Sequence, residues 1–276
     1  MRAVWIIAGK EFRDGLRNRW VLAITLVVGL LAIGLAYFGA AASGQVGFTR
    51  VSTTIVSLSS LAVFLIPLIA LMLAYDSIVG EDEQGTLLLL LTYPMSRVEI
   101  LSGKFLGHAA ILGVSTLVGF GVAGAIIAAL GSVEQLGELV AALALFILSA
   151  MLLGWAFIGF AYLISVSVSE KSKAAGIALV VWFFFVIVYD LALLGVLVGT
   201  GGQVSEGFFH YLLLLNPTDI FRIVNLTFFE AARTQAGLAS IGANAAFHPA
   251  LLIGSLLAWV AVPLVLALWI FRRREI

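Results

Sequence analysis

Apolar and charged stretches alternate along this chain, and the apolar ones fall into two length classes. Six are long enough to cross a bilayer as helices, near Trp20–Ala42, Ile55–Tyr75, Phe105–Leu130, Leu139–Ile164, Ala174–Val198 and Ala250–Phe271; a spanning helix needs ~20 such residues. Two are far too short, Leu87–Leu91 and Phe208–Leu215. The first short run lies in residues 76–104, DSIVGEDEQGTLLLLLTYPMSRVEILSGK, behind Glu81, Asp82, Glu83, Gly85 and Thr86. A helix starting near Thr86 and ending before Pro94 is predicted, because proline disfavours helical geometry in the residue ahead of it. Such a helix, bounded by charge, belongs at the membrane face or against another protein. After the second short run, Asn216 reads as a helix N-cap, with Pro217 at the first helical position and Asp219 at the third. Residues 199–249 are therefore expected to form re-entrant or surface-lying outer helices, together with Arg222. At the other end, residues 2–19 place Trp5, Ala8, Phe12, Leu16 and Trp20 at helical spacing, with Lys10, Asp14 and Arg17 on another face. That pattern predicts an amphipathic interfacial helix with its cationic side toward headgroups.

Composition extends this picture. The 276 residues are 62% hydrophobic and 11% charged, with mean hydropathy +1.16, more apolar surface than a soluble domain can hide. The expected fold class is all-α, a polytopic membrane protein of six spans in a single domain over 1–276. Of the basic residues, twelve (Arg2, Lys10, Arg13, Arg17, Arg19, Arg97, Lys104, Lys171, Lys173, Arg272, Arg273 and Arg274) fall on one side of the expected topology. Only Arg50, Arg222 and Arg233 fall on the other. This asymmetry puts both termini and residues 76–104 in the cytoplasm. The first apolar run is long and no cleavage site follows a short core, so no cleaved signal peptide is expected.

Charge and chemistry narrow the function classes. Net charge is zero, so no field points to nucleic acid. The absence of cysteine excludes disulfides, thiolate metal sites and cysteine nucleophiles. Three histidines and four methionines are little material for a soft-metal relay, and His210 and His248 lack ligand spacing, so no metal site is expected. His108 reads as an interfacial histidine. The chain contains no Gly-x-x-x-x-Gly-Lys-Ser/Thr phosphate loop, no Gly-x-Ser-x-Gly elbow and no His-Glu-x-x-His pair, so no catalytic residue and no cofactor are assigned to it. Asp190, in WFFFVIVYDLALLG, is the one carboxylate well inside an expected span, about 12 Å deep at helical rise. A charge there is costly unless paired or wet. Arg222 is its topologically possible partner, which would make the aspartate a gate, a proton site or a pin for the outer helices; the plainer reading is a protonated or solvent-reaching carboxyl. Gly-x-x-x-Gly spacing occurs at Gly103–Gly107 and Gly195–Gly199, a weak packing signal because small residues are common in membrane helices.

The order of these elements resembles the permease subunits of ABC-2 type ABC transporters. Those proteins are written Glu-x-Glu-x-Gly-Thr-Leu-x-x-Leu-Leu-x-x-Pro-x-Ser-Arg between spans two and three. Here Glu81, Glu83, Gly85, Thr86, Leu87, Leu90, Leu91, Pro94, Ser96 and Arg97 stand in that arrangement. The resemblance implies an N-terminal elbow helix, a cytoplasmic coupling helix gripped by an ATPase partner through Glu81–Arg97, and ATP and Mg bound by that partner alone. The segments AYDSIVGEDEQGTLLLLLTYP, GKFLGH, EKSKAAG and LLLLNPTDIFRIVNL resemble more closely the branch serving nitrous-oxide reductase maturation. That likeness implies a homodimer in the bacterial inner membrane with two cytoplasmic ATPase subunits and a periplasmic repeat-fold protein. A copper-chaperone lipoprotein would act through the periplasmic protein. Three other readings remain: an ABC-2 exporter of a lipid, glycan or drug; a gradient-driven carrier using Asp190; and a membrane anchor for an external complex.

Overall fold

In hydrocarbon every backbone amide must find its partner within its own segment, and the polypeptide does so with helices. The computed structural model describes residues 2–17, 19–38, 51–130, 136–201, 206–227 and 247–274. In chain order the helices are α1 Arg2–Arg17, α2 Arg19–Phe38, α3 Val51–Ala74, α4 Val79–Glu83, α5 Thr86–Thr92, α6 Arg97–Leu130, α7 Leu136–Ser167 and α8 Lys171–Phe183. One π-helical turn, Phe184–Val188, leads into α9 Tyr189–Gly199, and α10 Glu206–Leu213, α11 Pro217–Thr227 and α12 Pro249–Arg273 follow. No strand occurs among the described residues.

Five helical stretches are long and apolar enough to cross a membrane: Thr54–Glu83, Arg97–Ala129, Leu136–Ser167, Lys171–Gly199 and Pro249–Arg273. The first expected span corresponds to α2, a shorter helix with its apolar middle at Thr25–Leu35; residues 39–42 of that expectation, with Arg50 and Arg233, lie outside the described residues. Helix α6 starts at Arg97 rather than Phe105 and runs for 34 residues, about 51 Å at helical rise. That exceeds a ~30 Å hydrocarbon layer, leaving its first turns free to meet other elements. The fifth span is broken by the π turn, which no sequence pattern announced.

Helix α7 is the central column, with α3, α6 and α12 packed along it. Phe146, Phe157 and Tyr162 from α7, Phe120 from α6 and Phe271 from α12 are fully buried around it. A second apolar cluster, Leu193, Phe209, Leu213, Ile220, Ile223, Leu252 and Leu256, ties α9, α10, α11 and α12 together at the other end.

Helix α1 lies along α6, and the reason is a pair of missing side chains. A Cβ on Gly103 would stand 2.9 Å from the Val4 carbonyl oxygen, and one on Gly107 would stand 3.0 Å from that of Ala8 and 2.5 Å from Glu11 Cβ. The weak Gly-x-x-x-Gly signal is thus the seam on which α1 docks. Helix α1 thus has one apolar side covered by protein and another left exposed. Ile7 and Ala8 are buried on the seam while Trp5 is 69% exposed and Leu16 also faces out. Helical periodicity finds an apolar stripe but does not say whether lipid or protein covers it.

Gly107→Leu should therefore strip α1 from α6, lowering stability by about 1–3 kcal/mol through overpacking and opening residues 2–17 to protease. Gly121→Leu should be the silent control in the same helix, since nothing lies within 4 Å of a Cβ there; equal effects of the two in thermal melts and proteolysis would contradict the seam.

Candidate functional site

The acidic triplet is tied to other helices of the same chain. After α3, the Ser165 hydroxyl of α7 accepts the backbone N–H groups of Ile78 at 3.0 Å and Val79 at 3.1 Å. It supplies from a neighbouring helix the acceptor that the start of α4 lacks. Val79 and Gly80 are buried by this contact, and the next three side chains go to three different elements. Glu81 accepts from Lys104 of α6 at 2.7 Å, Asp82 from Arg274 at the end of α12 at 2.7 Å, and Glu83 from the backbone N–H of Lys171 at 2.6 Å. The last contact sets a carboxylate on the N-terminus of α8, where the helix dipole favours it. Lys171 also pairs through Nζ with Asp76 at 2.5 Å.

Lys104 is the pivot. Its side chain is 5% exposed and its ammonium also reaches Glu11 of α1 at 2.8 Å. Burial pushes the Glu11 carboxyl up, but Lys104, His108 and Lys10 outweigh it and hold the group below its ordinary value. His108 is buried rather than interfacial, a correction of the expectation. Its Nδ1 lies 2.7 Å from the Tyr162 hydroxyl and 3.5 Å from that of Ser77. A polar ring at that depth needs such partners, and α1 and α7 cover it from both sides.

Gly85, with φ +70°, ends α4 and turns the chain into α5. A left-handed residue there suits glycine. The helix predicted near Thr86 runs from Thr86 to Thr92, and the Thr86 hydroxyl donates to the Glu81 carbonyl at 3.2 Å. Leu87 is fully buried and Leu90 and Leu91 half-buried, whereas Leu88 and Leu89 are 55% and 64% exposed; Tyr93 and Pro94 are exposed beyond them. Arg97 turns inward, its guanidinium donating to the carbonyls of Phe271 at 2.7 Å and Arg274 at 2.5 Å. It thereby satisfies the last carbonyls of α12.

The outer candidates also converge. Arg222 donates to Asp190 at 2.5 Å and to Asp219 at 3.1 Å, so the contact that topology allowed between α9 and α11 is formed. Asn216 accepts from the N–H of Thr218 at 3.0 Å, the N-cap bond, and donates to Asp219 at 3.0 Å. Pro217 opens α11. The π turn locally opens the helical ladder, and the Phe185 carbonyl receives Asn216 Nδ2 at 3.0 Å and Thr218 Oγ1 at 3.2 Å. Two carboxylates thus share one guanidinium. Burial first, and Asp190 second, push the Asp219 carboxyl up. Deeper in, Asn225 Nδ2 donates to Ser149 of α7 at 2.9 Å.

Among the described residues no three His, Asp or Glu side chains are grouped as metal ligands. Both clusters join separate helices through charge, and their chemistry is that of a latch. Sequence reasoning missed Glu11, Asp76, His108 as a core residue, Tyr162, Ser165 and Arg274, whose partners lie up to 192 positions away in the chain.

Arg222→Leu should cost about 3–5 kcal/mol by leaving the buried Asp219 and the part-exposed Asp190 uncompensated. Asp190→Asn should cost less, because Arg222 keeps Asp219; chemical denaturation of the two variants and their double mutant should be strongly non-additive. At the other latch, stability contributed by Glu11 is complete above its ordinary value of 4.5 and is lost as pH falls through its lowered value. The acid limb of the melting profile should lose that component in Glu11→Gln, which should cost about 1.5–3 kcal/mol at neutral pH.

Residues 5–276 match the family described as ABC-2 family transporter protein. A protein of Stutzerimonas stutzeri described as "Probable ABC transporter permease protein NosY" is 56% identical over 274 residues, covering 99% of both chains. A protein of Pseudomonas aeruginosa with the same description is 52% identical over 276 residues, covering 100% of both. With the match running through α1, both latches and α12 alike, the chain belongs to the ABC-2 family of transporter proteins.

Proposed function

We propose that this chain is the NosY-like permease subunit of an ABC transporter that matures the copper sites of nitrous-oxide reductase. It sits in the bacterial inner membrane as a homodimer, with α2 as a sixth span and both termini cytoplasmic. Two NosF-like ATPase subunits, which carry ATP and Mg, grip α5. A NosD-like periplasmic protein docks on the outer helices, and a copper-chaperone lipoprotein acts through it. In this reading α1 is the elbow helix and residues 81–97 are the coupling segment.

The observation that carries the proposal is that each acid of the triplet is held by a different element. A push on α5 is passed at once to α6, α8 and α12, while Leu88, Leu89 and Tyr93 remain exposed for the ATPase to grip. Two rods lead outward. Helix α7 is held at Ser165 and again at Ser149, about 24 Å apart at helical rise. The α8–α9 helix is held at Lys171 and again at Asp190. Movement at one latch is thereby delivered to α11 at the other, and from there to the periplasmic partner. Copper does not travel through this chain, which has no thiol and few imidazoles or thioethers for a soft ion. A sulfur species needs no metal ligand, and its passage is compatible with the same motion.

Because the chain has no cysteine, a single cysteine introduced at exposed Leu215 labels the outer helices without background. In the full complex, ATP trapping should shift the spin-label distance across the homodimer by several ångströms. Asp82→Asn should abolish that shift while ATPase activity persists, and Leu88→Ala with Leu89→Ala should reduce retention of the ATPase subunit on purification. An outer distance indifferent to nucleotide in an ATPase-active complex would overturn the proposal.

A further inference from the structure

A recess of about 740 Å³ opens beside the inner latch, between the α7–α8 loop and the last turn of α12. Its size is that of a small-ligand site, ~300–1,000 Å³. Val166, Val168 and Ile270 make an apolar side; Lys173, Arg273 and Arg274 make a cationic one, with Trp269 at the edge. Two of these cations are already answered: Lys173 pairs with Glu170 at 2.6 Å and Arg274 with Asp82 at 2.7 Å. Arg273 has no carboxylate partner among the described residues. Its guanidinium lies 4.3 Å from the centroid of the Trp269 ring, a cation–π stack that holds the planar group while leaving its N–H edge free.

From this geometry we infer that the recess seats the phosphate of an anionic phospholipid, with Arg273 as the headgroup ligand and the valine–isoleucine wall against the first acyl methylenes. Among the described residues, the three cations lining the recess meet two carboxylates, Glu170 and Asp82, which leaves Arg273 for one phosphodiester. That one cation falls short of a nucleotide polyphosphate, whose several charges would also find no partner for the apolar wall. Tryptophan and arginine in the final turns of an apolar helix mark the depth where acyl chains give way to headgroups, and basic residues there favour anionic lipid. The seat requires only that α12 crosses a bilayer, not the coupling role proposed above. Its occupant would lie against Arg274 and so against the Asp82 latch.

Native mass spectrometry of the full chain from nanodiscs of equal phosphatidylglycerol and phosphatidylcholine tests this. Phosphatidylglycerol should be retained preferentially, and Arg273→Gln should weaken retention about fivefold, the effect of one interfacial cation. Arg273→Lys, which keeps the charge but loses the planar fork, should fall between, and a melting curve for each variant establishes that it is folded. Arg13→Gln removes an equal charge from α1, outside the recess, and so measures the general attraction of the interfacial helix for anionic headgroups; the loss in Arg273→Gln should clearly exceed it. Loss of equal size in Arg13→Gln would reduce the effect to general surface charge and overturn the seat. Lack of preference between the two lipids would overturn it too. Displacement of the bound lipid by inorganic phosphate or glycerol phosphate alone would assign the recess to a soluble anion and reject the lipid.

Discussion

A single ammonium group, that of Lys104, organises the inner half of this molecule. It is buried where α1, α4 and α6 meet, and a buried cation is tolerated only when carboxylates and hydrogen bonds surround it. Glu11 and Glu81 supply them from opposite sides. Neither can leave without exposing the other half of the arrangement to an uncompensated charge. The close approach of α1 to α6 through Gly103 and Gly107 is what brings Glu11 within reach. Close packing and ion pairing are therefore one feature rather than two, and the helix ahead of the first apolar run is bound to the segment after α3.

The two latches follow the same physical rule at opposite ends of the bundle. Each uses a hydroxyl or amide side chain to satisfy a backbone group where a helix starts or loosens: Ser165 at the head of α4, Asn216 and Thr218 at the π turn. Each then adds an ion pair between helices distant in sequence. Apolar packing alone would allow helices in lipid to slide, since hydrocarbon is as good a neighbour as leucine. Directional polar contacts at both ends hold α7 and the α8–α9 helix in register. Between the latches the interface is aromatic and aliphatic, with Phe160 and Phe185 in contact with each other and with both Phe157 and Trp259 beside the π turn.

Much of the architecture was readable in the residues. The leucine helix between Thr86 and Pro94 was visible because its ends are marked by a glycine and a proline. The start of α11 was visible because Asn-Pro-x-Asp writes a cap, a first position and a third. Asp190 stood out because a carboxylate in an apolar run must have a partner, and Arg222 was the nearest candidate by topology. The destinations of the acidic triplet were less legible. Glu81, Asp82 and Glu83 each meet a partner within the chain, Glu83 while still exposed, and the large exposed side chains of α5 are Leu88 and Leu89.

Sequence alone dictated the all-helical membrane class, the places of the long apolar helices and the separate standing of residues 81–97, because bilayer thickness and backbone satisfaction are local constraints that each segment meets for itself. Tertiary structure alone decided which side of α1 is covered, where the span after Lys171 opens into a π turn, and which cation each acid meets. Those outcomes depend on contacts between residues scores of positions apart, and neither hydrophobic periodicity nor capping grammar reaches that far.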